Sequence, residues 1–216
     1  MKYHAVLFDF DYTLGDATGA IVAGFQYAFA RMGLPLPEPE AVRLTVGHTL
    51  EDSYTQLSGD ALPARQAQFC RLYREKAAPL QVRSTRLFPG AAELLAALHA
   101  AGIPAGIVSS KGAPLLREVL RALGVAHFLC SVTGGDQVSR PKPDPEGLLR
   151  ATAALELAPE QVLFCGDTVI DASAAQQAGC GFCAVLNGTT GADAFAAYPH
   201  VHIAPSLWEL KDWLDL

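Results

Sequence analysis

Two carboxylates one residue apart, Asp9 and Asp11, close the short apolar run Tyr3-His4-Ala5-Val6-Leu7-Phe8. If the extended backbone continues past Asp9, alternation sends both side chains the same way, and a turn at Tyr12-Thr13 brings them to one small volume. Carboxylates that close bind a cation, share a proton, or do both. Three later stretches offer complementary groups. They are Ser109-Ser110-Lys111, then Lys142 within Arg140-Pro141-Lys142-Pro143-Asp144-Pro145, then Gly166-Asp167-Thr168-Val169-Ile170-Asp171. Each is weak alone, because Asp-x-Asp arises by chance, serines after a strand commonly cap a helix, and a lone lysine is commonly solvated. Together, each at the end of a predicted strand, they suit phosphoryl transfer through a carboxyl phosphate.

A carboxylate attacks phosphorus only when the negative charge of the phosphate is neutralised, and the other groups meet that need. Asp167, helped by Asp9 and the backbone carbonyl of Asp11, forms an oxygen-only set for a hard cation, for which Mg²⁺ is the natural choice. Lys142 supplies a fixed positive charge to the phosphoryl oxygens. Ser109 adds a hydroxyl and the backbone N–H groups of a helix start. Asp11 is left for proton transfer, first to the leaving oxygen and then from the attacking water. That role requires a raised pKa, which a cover excluding water would provide.

These groups need a sheet edge to stand on. A buried parallel strand reads as a continuous apolar run and delivers its ligand-binding groups at its carboxyl end, as Ala5 to Phe8 would. From Thr18 the residues Ile21, Val22, Phe25, Ala28, Phe29 and Met32 recur at helical spacing until Gly33. An extended connector through Pro35, Pro37 and Pro39 follows, then helices over Glu38 to Val46, Leu50 to Leu57 and Pro63 to Leu80, broken at Gly47 and Gly59. The next strand, Ile103 to Val108, comes only after the helix Ala91 to Ala101. Roughly 95 residues thus separate two strands that a simple crossover unit of about 30 residues would join. The excess predicts an inserted helical cap domain at residues 15–85, hinged near Gly15 and around Arg83 to Pro89, on a core of residues 1–14 and 86–216.

Beyond it the alternation is regular, with helices over Pro114 to Leu123, Pro145 to Leu155, Ile170 to Ala178 and Leu207 to Leu214. The intervening strands are Phe128 to Val132, Gln161 to Cys165, Phe182 to Leu186 and His202 to Ala204. The expected fold is therefore α/β, a Rossmann-like doubly wound parallel sheet with a small inserted α-helical cap.

With 216 residues, half of them hydrophobic, the chain can bury one full α/β core and a small satellite. Its 16 basic and 22 acidic residues give a formal charge of −6 without a basic cluster, which argues against nucleic acid or an anionic membrane as partner. No apolar stretch reaches the roughly 18 residues of a membrane span, and the start lacks the pattern of a secretion signal, so a cytoplasmic location is expected. Five cysteines, an odd number in apolar surroundings, are expected to be free thiols. Cys180-Gly181-Phe182-Cys183 has redox spacing, but it leads into a strand rather than opening a helix, so packing is the better reading. His200 and His202 lack acidic or cysteine partners nearby in sequence and are read as surface.

The four stretches, in this order, resemble the motifs of the haloacid dehalogenase superfamily of aspartate-nucleophile phosphatases, and within it the phosphoglycolate phosphatase group. The resemblance spans nearly the whole chain, with Phe88-Pro89-Gly90 resembling the return from cap to core. It implies that Asp9 is the nucleophile, Asp11 the acid and base, and Lys142 the lysine that steadies the nucleophile and the phosphoryl group. It implies that Thr13, Ser109 and Ser110 lie on the phosphate-binding side, and that Asp9, Asp11, Asp167 and Asp171 make the Mg²⁺ site, Asp171 through water or by orienting Lys142. In the cap, Arg43, Gly47 and His48 are candidates for contacting the leaving group. Three residues depart from the family pattern: Tyr12 where glycine is usual, Ser110 for asparagine, and Gly15 for an aliphatic residue. They bear on substrate and rate more than on reaction type.

The expected substrate is a small phosphorylated metabolite, phosphoglycolate first, handled by a monomer or weak homodimer. Alternatives of the same fold are a pyrophosphatase, a nucleotidase, or a phosphomutase resembling β-phosphoglucomutase. The mutase family carries a cap histidine soon after the first motif, and this chain has none between His4 and His48. Dehalogenation does not call for Asp11 or a Mg²⁺ site. A non-catalytic phospho-receiver or regulatory protein is the alternative of another class, but receivers are shorter, have no inserted domain, and carry the phosphorylated aspartate after the third strand, where this chain, past Cys130 to Asp136, has the lysine stretch.

Overall fold

The computed structural model describes residues 2–216. In chain order its main elements are β1 (Ala5–Phe8), β2 (Gly15–Asp16), α1 (Thr18–Arg31), α2 (Pro39–Arg43), α3 (Leu50–Ser58), α4 (Pro63–Ser84), β3 (Arg86–Leu87), α5 (Ala91–Ala100) and β4 (Ala105–Val108). There follow α6 (Ala113–Ala122), β5 (Ser131–Thr133), α7 (Glu146–Ala154), β6 (Val162–Gly166), α8 (Val169–Ala178), β7 (Gly181–Val185), β8 (His202–Ala204) and α9 (Leu207–Trp213). The chain divides into two compact units, one running to Asp16 and resuming over Leu87–Leu216, the other Ala17–Arg86.

The first unit is α/β. Its six strands lie in the order β5-β4-β1-β6-β7-β8, and every neighbouring pair is parallel. All four residues of β1 are buried, as a continuous apolar run in a central parallel strand requires. In register, Phe8 stands beside Ile107 of β4 and Cys165 of β6. Asp9, one residue past Phe8, and Ser109 and Asp167, two past Ile107 and Cys165, therefore leave the sheet at one edge. Leu7, Val108, Leu148, Phe164, Ala172 and Phe182 belong to the apolar core that holds these strands in place.

The second unit is helical. Its core gathers Phe25 and Phe29 of α1, Tyr54 of α3, and Phe69 and Tyr73 of α4, with ring centroids 5.0 to 6.0 Å apart. Gly24 lets α1 approach α4, since a Cβ there would stand 2.8 Å from the Tyr73 ring and 2.7 Å from the Ala77 methyl. Thr49 caps α3 by accepting from Asp52 N, and Gly59 ends it in a left-handed conformation at φ 73°.

Element boundaries differ from expectation at a few places, each with a local cause. Helix α2 stops at Arg43 rather than Val46, where the Thr45 hydroxyl turns back to Val42 O at 2.8 Å and Gly47 adopts φ 104°. Helix α4 continues through Pro79 to Ser84, and the Thr85 hydroxyl satisfies Gln81 O at 2.6 Å. Residues Ala126–Phe128 form a 3₁₀ turn, so β5 begins at Ser131 instead of Phe128. The two-residue strands β2 and β3 pair where the chain passes between units, and nothing in the residue pattern announces them. All five cysteines are free, with Cys183 buried and Cys180 half-buried. Among the described residues, no helix is long and apolar enough to cross a membrane.

Candidate active site

Strand β1 hands its last backbone bond to Asp9, whose N–H donates to Cys165 O at 2.9 Å. The chain then turns around Phe10 O, which accepts from Thr13 N, Leu14 N and Gly15 N at 3.3, 3.0 and 2.9 Å. Inside this turn Tyr12 has φ 61°, the left-handed region that glycine occupies without cost. Tyrosine thus keeps the backbone shape that a glycine would give, at some strain, and is itself buried. Gly15 is small because the Phe10 ring packs against it, where a Cβ would stand 2.7 Å from that ring.

The turn and two other strand ends bring charged groups together. Asp9, Asp167 and Asp171 are all buried, and each offers a carboxylate oxygen within 4.8 Å of the others. Lys142 Nζ lies between two of them, 3.1 Å from Asp9 Oδ1 and 2.6 Å from Asp171 Oδ1, and it also donates to Val108 O at 3.3 Å. Helix α8 fixes Asp171. Its first turn is a reciprocal cap in which Thr168 Oγ1 donates to Asp171 Oδ2 at 2.6 Å and accepts from Asp171 N at 3.3 Å. One Asp171 oxygen is therefore consumed by the helix start and the other by Lys142. The Thr13 hydroxyl donates to Asp167 Oδ1 at 3.0 Å, and Asn187 Nδ2 holds Thr13 O at 3.0 Å.

Two oxygens remain without an aligned hydrogen bond, Asp9 Oδ1 and Asp167 Oδ2. The contact of Asp9 Oδ1 with Lys142 is thus an ion pair of poor hydrogen-bond geometry. Burial drives the Asp9 carboxyl up to about 6, against the pull of Lys142 and with further push from Asp171; a hydrogen bond from Ser109 works in the same direction as Lys142. Burial, then Asp171 and Asp9, raise Asp167 well above the ordinary carboxyl range. Burial alone would lower the Lys142 ammonium, but Asp171 and Asp9 outweigh it and keep it charged. One ammonium thus faces three carboxylates. A small divalent cation beside the two orphaned oxygens would relieve that imbalance, and oxygen donors alone favour a hard ion. Room for it is kept by Gly188, where a Cβ would collide with Asp167 Oδ2.

Asp11 stands apart from the acidic group. Its carboxylate pairs with Lys111 Nζ at 2.7 Å. Ser109 and Ser110, with Lys142, Gly134 and Gly135, line a small cleft beside the ends of β4 and β5. Arg43 and His48 belong to the helical unit, Arg43 in the last turn of α2 with an ion pair to Glu40 at 2.7 Å, and His48 between α2 and α3. The α/β unit therefore brings together Asp9, Asp11, Thr13, Ser109, Ser110, Lys142, Asp167 and Asp171. Sequence reasoning left Lys111, Asn187 and Gly188 without a role. The first resembles any solvated lysine, and the other two lie in a loop after β7 that carries none of the four motifs.

The sequence pattern described as haloacid dehalogenase-like hydrolase matches residues 6–185. The phosphoglycolate phosphatase of Escherichia coli K12 is 33% identical over 200 residues, covering 81% of this chain and 78% of the relative. That of Salmonella typhi is 32% identical over 196 residues with the same coverage. Among solved structures, a provisionally assigned haloacid dehalogenase-like hydrolase from Bacteroides fragilis superposes with TM-score 0.93 at 37% identity, over 97% of this chain and all of that one.

Proposed function

The chain belongs to the haloacid dehalogenase-like hydrolases and is a phosphatase of that family, and from this we propose that it hydrolyses small phosphomonoesters through a phosphate ester of Asp9, with Mg²⁺ as cofactor. The observation that carries the reading is the buried Asp9 at the end of the central strand, with one oxygen lacking an aligned partner beside Lys142 and the acidic group. Asp9 attacks phosphorus as the bond to the leaving oxygen breaks. The electron pair of that bond goes to the leaving oxygen, which takes its proton from Asp11. Water then attacks the acyl phosphate, giving its proton to Asp11 and releasing inorganic phosphate, and Asp9 is regenerated. Lys142 offsets charge on the phosphoryl oxygens, and Ser109, with the backbone that follows it, binds them. Asp9 and Asp167, oriented by Asp171 and Thr13, would hold Mg²⁺. When bound, that ion neutralises phosphate charge and orients the ester for in-line attack.

The helical unit, which departs after Asp16 and ends at Arg86, serves in this reading as a cap that selects the substrate and excludes water, with Arg43 and His48 as its contacts to the leaving group. Phosphoglycolate is the first substrate to test, because curated relatives carry that name. The setting is a cytoplasmic monomer or weak homodimer. Phosphate release from phosphoglycolate, sugar phosphates, nucleoside monophosphates, pyrophosphate and p-nitrophenyl phosphate, with and without Mg²⁺, tests the proposal against Asp9→Asn. Mg²⁺-dependent turnover that disappears in the variant is expected. No turnover of any ester by folded protein would overturn it.

A further inference from the structure

Four carboxylates line the site; the Thr13 hydroxyl holds Asp167, and two lysines divide the other three. Lys142 takes Asp9 and Asp171, while Asp11 is left to Lys111. The Lys111–Asp11 pair is not a loose surface contact, since the two side chains retain only 8% and 13% of their exposure. The ammonium also stands 5.2 Å from the centre of the Phe10 ring, so the residue between the two aspartates carries part of its contact.

The backbone that presents Lys111 is clamped. Lys111 N donates to Ser109 Oγ at 3.4 Å, and Lys111 O accepts from Gly135 N at 3.2 Å. A Cβ on Gly134 would stand 2.7 Å from Lys111 O and collide with Ala113 N, and one on Gly135 would stand 2.5 Å from Ser110 O. Asp136 Oδ1 ties the same segment down by accepting from Ala113 N at 2.6 Å. This much packing around one lysine is more than a solvated charge needs.

Resting on the phosphatase reading above, we propose that Lys111 is a positioning residue for the proton-transfer step. Its ion pair holds the Asp11 carboxyl away from the acidic group of Asp9, Asp167 and Asp171 and reserves it for the leaving oxygen. Asp11 follows Asp9 by two residues, so without a partner of its own it could swing toward Lys142 or a bound cation, where it would be of no use to the leaving group. Lys111 acts through Asp11. It makes no bond to phosphorus in this proposal.

The consequence is a dependence on leaving group. An alkoxide leaving from a metabolite ester needs a proton in the transition state, whereas p-nitrophenolate does not. Lys111→Met is therefore expected to lose about 10²-fold in kcat/KM on an alkyl phosphomonoester, the size of a general-acid contribution, and within about threefold on p-nitrophenyl phosphate. Lys111→Arg, which keeps the charge and the reach, is expected to recover most of the alkyl rate. Near-UV circular dichroism and a melting curve of Lys111→Met confirm that the fold persists. Equal losses on both esters, or no loss on either, would overturn the positioning role while leaving the phosphatase reading intact. A wild-type protein that hydrolyses neither ester would overturn that reading, and this proposal with it.

Discussion

At the scale of single residues, the site stores unbalanced charge, and that has measurable consequences. With its carboxyl raised to about 6 by burial, Asp9 keeps a proton in the folded chain that the unfolded chain has already released. The stability of the metal-free protein must then fall as pH rises from the ordinary carboxyl range through about 6. The loss is at most about 3 kcal/mol from this group. Urea titrations of wild type and Asp9→Asn at pH 4 and pH 7 check it. Wild type should lose ground to the variant on going to pH 7, and Mg²⁺ should restore it; parallel behaviour would show that Asp9 carries no such burden. Gly188→Ala tests the cradle itself. The added methyl intrudes on Asp167 Oδ2, so the Mg²⁺-induced rise in melting temperature should need about tenfold more Mg²⁺, while the metal-free melt changes little. What could be read in advance at this scale was whatever sat at a strand end in a recognisable order, namely Asp9, Asp11, Ser109, Lys142, Asp167 and Asp171. Lys111 and Gly188 escaped, because a lysine's partner lies 100 residues away and a glycine's value lies in an atom it lacks. Tyr12 drew notice as a departure from a glycine pattern, but only φ 61° reveals that the backbone shape persists.

At the scale of elements, the start of α8 does two jobs with one cap. Thr168 satisfies the helix N-terminus and also occupies one oxygen of Asp171, leaving the other for Lys142. Thr168→Ala should therefore destabilise the chain by about 1–2 kcal/mol in urea, as loss of a capping side chain does. It should also lower kcat more than it raises KM, because Lys142 loses a fixed partner. A purely structural role would show in stability alone. The helices and strands themselves were legible wherever apolar residues repeat over enough positions, as in α1, α5 and β6. Their ends were less so. Helix α4 outran its expected stop at Leu80, because one proline removes a single helical bond and Thr85 supplies another contact beyond it. The ribbon of β2 and β3 is two residues per strand, too short for any periodicity to register.

At the scale of the whole molecule, the helical unit has an apolar core of its own, which can be disturbed separately from that of the α/β unit. Phe69 is fully buried in the aromatic cluster of the helical unit, so Phe69→Ala should cost about 3–5 kcal/mol there. Both tryptophans, Trp208 and Trp213, belong to the other unit. Helix loss by far-UV circular dichroism should then begin at lower temperature than the change in tryptophan emission; coincident transitions would mean that the two units unfold as one. The expectation of an insertion came from the long interval between the first two strands, because a crossover needs far fewer residues than that interval holds. The same interval also sets a schedule. The first strand to leave the ribosome is the central one, yet its neighbours are β4, beginning at Ala105, and β6, beginning at Val162. At about 5–20 residues per second, Ala5–Phe8 waits roughly 5–20 s for its first partner and longer for its second. Every residue of the helical unit has been made by then. The nascent chain thus carries the strand that ends in Asp9 without a first neighbour for about half of its own synthesis, and without its second until about three quarters of the chain has been made.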